Sequence, residues 1–302
     1  MGRTASFTPK ISMRQKMRFS EDKLALLRCS DQIERTIHIW SPKQPKAVIL
    51  AIHGGMAHAG DYVTPALYFR EQGIATVSFD MCGHDGKKRV DIPGFETFLA
   101  DAELMLKWVK TYYPGLPVFI MGHSMGALIA AHLGLGRFAN DPLIKGFIMS
   151  SPYFVNAVKV PKVLVWFSDS LAKAFPRMKV PMESLTHLLT HDPVITARHY
   201  ADEKDDVRAT EVTFRFAASL LGAQSALIGR LGAWSYPLFA VLAGDDKLAN
   251  TPETQAMLKT IKPTLLDCHV YPDNYHENFN EINRTKIFGD IQSWMQRRLE
   301  TV

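Results

Sequence analysis

The sequence predicts a single α/β domain on a mostly parallel sheet with helices against its faces, and three observations predict it. Short apolar runs rich in Val, Ile and Phe recur along the chain, and stretches with helical spacing fall between them. The length, 302 residues, suits one large α/β domain carrying an insertion.

In chain order, two runs at residues 24–29 and 35–40 read as an antiparallel start. Buried strands follow at Ala47–Ile52, Ile74–Phe79, 118–121, 146–150, Leu238–Ala243 and 267–271, which makes eight with the first pair. Between the second and third buried strands, Phe95, Phe98, Leu99, Ala102, Leu106 and Val109 recur at helical spacing and predict a core-facing helix. A small-residue helix is expected at 127–133, and Ile287, Phe288, Ile291, Trp294, Met295 and Leu299 predict a last helix packed on the body.

Residues 153–235 break this rhythm and read as helices alone, so the expected division is a core of 1–152 and 236–302, with a basic arm at 1–18, and an inserted helical cap at 153–235. Within the insertion, the segment 160–175 is apolar on more than one helix face and needs a second apolar partner: an acyl chain, a lipid surface or neighbouring helices. The acidic cluster Asp202, Glu203, Asp205 and Asp206 is expected to be solvated, without metal.

Composition narrows the function classes. Hydrophobic residues make up 47% and charged residues 22%, which disfavours disorder and fibrous architecture. The longest apolar runs fall far short of the roughly 20 residues of a membrane span. No apolar stretch of export-signal type follows the basic N-terminal residues, so a cytoplasmic location is expected. Cys29, Cys82 and Cys268 lie far apart without Cys-x-x-Cys spacing and are expected to be reduced. The net charge of +5 is uneven: residues 1–46 hold ten Lys/Arg against four Asp/Glu, leaving 25 against 26 elsewhere. Such an arm suits anionic lipid headgroups or plain solvent, and no nucleic-acid partner is expected. Met1-Gly2 with Ser6 fits the minimal myristoylation pattern, one short enough to arise by chance.

The chemistry concentrates at Gly122-His123-Ser124-Met125-Gly126, directly after one strand and before the small-residue helix. This is the context of a nucleophile elbow, in which a strained turn lifts a serine Oγ above the sheet edge. The helix N-terminus then points backbone N–H groups at any oxyanion formed there. A serine hydroxyl needs a base and the base an orienting carboxylate. The strand Leu238–Ala243 ends in Gly244-Asp245-Asp246, and the strand 267–271 is followed by Tyr275-His276-Glu277. Strand ends on the carboxyl side of a parallel sheet share one rim, so His276 is the candidate base, with Asp245 and Asp246 both open as its partner. His53 and His123 also sit near the site, His53 in a loop-holding role and His123 turned away. Of the oxyanion donors, Met125 supplies one amide and the loop His53-Gly54-Gly55-Met56 the other, with Gly55 as candidate. The scheme requires neither metal nor organic cofactor.

With these residues in place, the sequence resembles the monoacylglycerol lipase and lysophospholipase branch of the α/β-hydrolases, the group related to S33 serine aminopeptidases. The likeness runs over roughly residues 20–300 and is strongest in YPGLPVFIMGHSMG (113–126), in His53-Gly54-Gly55 at the oxyanion loop, in Asp246-Lys247-Leu248 against that family's Asp-Arg-Leu, and in Tyr275-His276. The resemblance implies a serine esterase acting on a lipid ester, monoacylglycerol first, with lysophospholipase or short-chain carboxylesterase as alternatives. It selects Asp246 as the orienting acid and implies that the insertion is the family's lid or cap; the apolar cap segment and the basic arm are the candidates for peripheral contact with a membrane surface. The chain departs from the family at Gly83-His84-Asp85-Gly86-Lys87, where Gly-His-Gly-x-Ser is usual.

Overall fold

The computed structural model describes residues 17–84, 86, 88–157, 170, 172–180 and 184–300. Eight strands form the main sheet: β1 (Lys23–Arg28), β2 (Glu34–Trp40), β3 (Ala47–Ile52), β4 (Ile74–Phe79), β6 (Val118–His123), β7 (Ile144–Ser150), β9 (Leu238–Ala243) and β10 (Leu266–Tyr271), in the order β1-β2-β4-β3-β6-β7-β9-β10. β2 pairs antiparallel with β1 and β4, and every other pairing in the sheet is parallel. This is the α/β-hydrolase architecture that the resemblance implies.

Every residue of β3, β4 and β9 is buried, so β3 and β9 read in sequence as unbroken apolar runs and β4 as one interrupted by Thr76 and Ser78. Their alternate side chains still feed two separate cores. Val48, Leu50 and Ile52 join the core under α2 (Phe95–Tyr112) and α3 (Met125–Gly134), whereas Ile49 and Ala51 join the one under α1 (Val63–Glu71) and α7 (Arg284–Leu299), the helix that follows α6 (Thr251–Leu258). On α7, Ile287, Phe288, Ile291, Trp294 and Met295 are buried along one stripe. Each of the aliphatic or phenyl side chains among them contributes about 1.5–3 kcal/mol by leaving water. On α2, Phe98, Ala102, Met105, Leu106 and Val109 do the same on the opposite face of the sheet.

The chain between β7 and β9 is not helical throughout. It contains α4 (Pro193–Lys204) and α5 (Phe214–Leu227), but also β8 (Glu211–Val212), which pairs in parallel with β5 (Arg89–Val90) in a separate small sheet. A strand of two residues is too short to show a period, and Arg89 holds it partly by side chain, donating to Glu211 at 2.9 and 2.7 Å. Both helices have capped N-termini: Asp192 accepts from the amide of Val194 at 2.9 Å, and Thr213 accepts from that of Phe216 at 3.3 Å. α5 lays Phe216, Leu220, Ala223 and Leu227 against the core that contains α2 and α3. The apolar segment 160–175 lies outside the described residues except for Ser170 and residues 172–175, as does the N-terminal arm up to residue 16. No helix among the described residues is long and apolar enough to cross a membrane.

Candidate active site

Steric necessity at the end of β6 produces the reactive turn. Ser124 has φ +55° and ψ −118°, a region costly for a residue with a Cβ. It stands at the N-cap position of α3, yet its hydroxyl makes no capping hydrogen bond, so Oγ is left for other work. The backbone holds the turn instead: the Ser124 amide donates to the Ser150 carbonyl at 2.9 Å, and its carbonyl accepts from Ala127 and Tyr153 at 3.0 and 3.2 Å. Glycine is required on both sides of it. A Cβ on Gly122 would lie 2.5 Å from the Gly126 carbonyl oxygen, and one on Gly126 would lie 1.9 Å from the Ile52 carbonyl oxygen.

The loop after β3 closes over this turn. A Cβ on Gly54 would sit 3.4 Å from Ser124 Cβ, and one on Gly55 would sit 3.9 Å from Met125 Cβ, so the backbone of the two candidate oxyanion residues, Gly55 and Met125, is adjacent. First-turn N–H groups of a helix have no partner within it, which leaves the Met125 amide available. His53 fixes the loop from beneath: its Nε2 accepts from the Met81 amide at 3.0 Å, so its Nδ1 carries the proton and donates to the Gly54 carbonyl at 2.8 Å. Burial pushes the imidazole of His53 down to about 4, which keeps the neutral ring that this double role demands.

His276 and Asp246 meet at the ends of β10 and β9. His276 Nδ1 lies 2.8 Å from Asp246 Oδ2 and 3.0 Å from Oδ1, with the carboxylate further held by the amides of Leu248 and Ala249, both at 2.9 Å. Burial alone would raise the Asp246 carboxyl, but His276 and the two amides outweigh it and hold it below the usual carboxylate range. Asp245 instead turns outward and pairs with Lys247, its side chain 48% exposed. With Nδ1 donating to Asp246, the His276 Nε2 presents a lone pair, the tautomer a general base needs. That Nε2 is buried without a hydrogen-bond partner among the described residues, and no hydrogen bond joins it to Ser124 Oγ. The His276 ring stands 4.9 Å from that of His123, the residue preceding the serine. His123 itself points its Nδ1 toward Ser150 Oγ at 3.4 Å. Catalytic hydrogen bonds are often long before substrate binds, so the missing bond leaves His276 a candidate base.

A second group of polar residues beside the site has little signature in the sequence. Asp202, expected in solvent, has a side chain only 1% exposed; it accepts from Arg18 at 2.8 Å and lies 3.3 Å from His58 Nε2. Asp61, on the turn Ala59–Tyr62, accepts from the buried Arg208 at 2.6 Å, and Arg208 also donates to Glu277 at 2.9 Å. Glu277 follows His276 directly, which is the one hint the sequence offers. Burial alone would raise the Glu277 carboxyl, but His199 and Arg208 hold it well below the carboxylate range. His58, Asp61 and Asp202 bring ligand-type atoms within 4.8 Å of one another. Both carboxylates are already neutralised by arginine, so the cluster is an ion-pair network rather than a cation cage.

The chain is similar to known proteins in sequence and fold. The family model described as serine aminopeptidase, S33, matches residues 43–283. A monoacylglycerol lipase of Mycolicibacterium smegmatis is 28% identical over 265 residues, covering 86% of this chain and 92% of that protein. The phospholipase YtpA of Bacillus subtilis is 29% identical over 252 residues, 82% of this chain and 95% of that one. Among solved structures, a soluble variant of monoglyceride lipase from Saccharomyces cerevisiae superposes with a TM-score of 0.79 at 18% identity, covering 94% of this chain and 98% of that one, a likeness of fold.

Proposed function

This chain belongs to the serine aminopeptidase S33 family of α/β-hydrolases, and from that premise we propose that it hydrolyses carboxylic esters of lipids, monoacylglycerol first among them, through an acyl-enzyme on Ser124. The observation that carries the reading is the buried His276–Asp246 pair, whose Nε2 has no partner among the described residues and whose ring stands 4.9 Å from that of His123, the residue before an elbow serine with an uncapped hydroxyl.

In the proposed cycle, Ser124 Oγ attacks the ester carbonyl as His276 Nε2 takes its proton, and the amides of Met125 and Gly55 hold the oxyanion. The protonated imidazole, steadied by Asp246, returns that proton to the leaving alcohol. Water then adds to the acyl-enzyme by the same route and frees the fatty acid. These steps ask for no group beyond the chain and water.

A lysophospholipid is the second substrate to weigh, because a relative of comparable identity is named a phospholipase. We assign residues 153–235 as the cap over the site and, with the basic arm 1–18, as the part that meets a membrane surface from the cytoplasmic side. Phe175, Val194 and Ile228, at 56%, 75% and 71% exposure, give the cap apolar points for that contact. The test is a panel of monoacylglycerol, lysophospholipid, short-chain ester and aminoacyl anilide, run with and without anionic vesicles. Preferred turnover of monoacylglycerol, rising with vesicles, is the expected result; preferred turnover of the anilide would remove the lipid-ester reading.

A further inference from the structure

The loop that carries His276 has little regular structure of its own. β10 ends at Tyr271 and α7 begins at Arg284, with only the short turn Asn278–Asn280 between them. It faces the loop after β3 across a cavity of about 20 Å³, lined by Gly54 and Asp61 on one side and by Glu277 and Asn280 on the other. Tyr62 and Phe279 pack along its apolar lining, their ring centroids 6.4 Å apart, and its polar lining is joined by ion pairs.

Arg208 spans that gap. Its guanidinium is buried, its side chain 6% exposed; Nη1 donates to Asp61 Oδ2 at 2.6 Å and Nη2 to Glu277 Oε1 at 2.9 Å. Nη1 also lies 3.3 Å from His199 Nδ1, which makes that nitrogen the acceptor, so His199 Nε2 donates to Glu277 Oε2 at 2.8 Å. Glu277 is held at two further points, by Asn280 Nδ2 at 2.8 Å and through its own amide to the Leu189 carbonyl at 2.8 Å. Arg208, His199 and Leu189 all come from the chain between β7 and β9, whereas Asp61 and Glu277 come from the two site loops. A buried guanidinium between two carboxylates is a poor source of stability compared with apolar packing, and its distinctive product is a defined geometry.

We infer that Arg208 is a positioning residue: by joining Glu277 to Asp61 it sets the loop of the base, His276, against the loop of the oxyanion donor, Gly55. The inference rests on the proposed hydrolase reading. The insertion thus supplies a brace as well as a cover, and anything that shifts the insertion shifts the register of base and oxyanion donor together.

The test uses the full chain with Arg208→Ala and Glu277→Gln, the second of which keeps side-chain size. Three quantities are measured: kcat and KM for a soluble p-nitrophenyl ester, the rate of fluorophosphonate labelling of Ser124 per folded molecule, and the response to millimolar guanidinium ion. Misplacement on the order of 1 Å costs about 10²-fold in rate, so kcat and labelling are expected to fall together by about that factor with KM nearly unchanged. Guanidinium should restore much of the loss in Arg208→Ala and none in wild type. If Arg208→Ala does not fold, Glu277→Gln carries the same expectation for kcat and labelling. Labelling that stays at the wild-type rate in every folded variant, or a loss of activity that follows the folded fraction alone, overturns the inference. Wild-type protein that fails to label at all would overturn the hydrolase reading instead.

Discussion

The elbow and the ion network lie side by side, yet they are encoded in opposite ways. At the elbow, five consecutive residues create the geometry: two glycines fit because backbone carbonyls stand where a Cβ would go, and Ser124 accepts a strained φ between them. In the network, Arg208 meets Asp61 across 147 positions and Glu277 across 69, and no residue's neighbours in sequence announce its partner. The elbow is local sterics, which a short motif can record. The network is long-range electrostatics, which only the folded chain brings together.

That contrast can be broken or sharpened by substitution. The largest effect is expected at the reacting groups: Ser124→Ala or His276→Ala should each lower kcat for an ester substrate by roughly 10⁶-fold, as for members of a catalytic unit elsewhere, measured by steady-state hydrolysis. Asp246→Asn should cost roughly 10⁴-fold by releasing the wrong imidazole tautomer, whereas Asp245→Asn, on an outward side chain, should leave kcat within about twofold. At the elbow the effect should be on folding: Gly126→Ala sets a Cβ against the Ile52 carbonyl and should destabilise by about 3 kcal/mol in a denaturant titration.

The smallest effect is the pH dependence of stability. Burial pushes His53 and His123 down to about 4 and His84 to about 3, so the unfolded chain takes up protons at these sites before the folded one does. Stability is lost as pH falls from about 6.5 toward 4, and the melting temperature should drop across that window. His123→Gln should flatten the slope. The paired carboxylates Asp61, Asp246 and Glu277, all held below their usual range, keep their contribution above about pH 4 and lose it only at lower pH.

How much could be read beforehand follows the same division. Ala47–Ile52, Ile74–Phe79 and Leu238–Ala243 have the bounds expected of them, because strands buried on both faces are mostly apolar runs and here each is bounded by polar or turn residues: Lys46 and His53, Gly73 and Asp80, Pro237 and Gly244. β6 continues two residues past the expected 121, since Gly122 and His123 keep their pairing with Met149 and Ser150 although neither adds apolar signal. β8 escaped notice for want of length. Asp245 and Asp246 could not be separated by physical reasoning, because adjacent side chains diverge and only the fold reveals which one turns toward His276. Asp202 was expected in water among its acidic neighbours. It is buried because Arg18 and His58, 184 and 144 positions away, come to meet it.

The uncapped hydroxyl at the elbow is the proposed nucleophile. Intact-protein mass spectrometry after fluorophosphonate treatment tests that role most directly. A single adduct that maps to Ser124 and disappears in Ser124→Ala together with ester hydrolysis is the expected result. An adduct on another residue, or undiminished hydrolysis by Ser124→Ala, would contradict it.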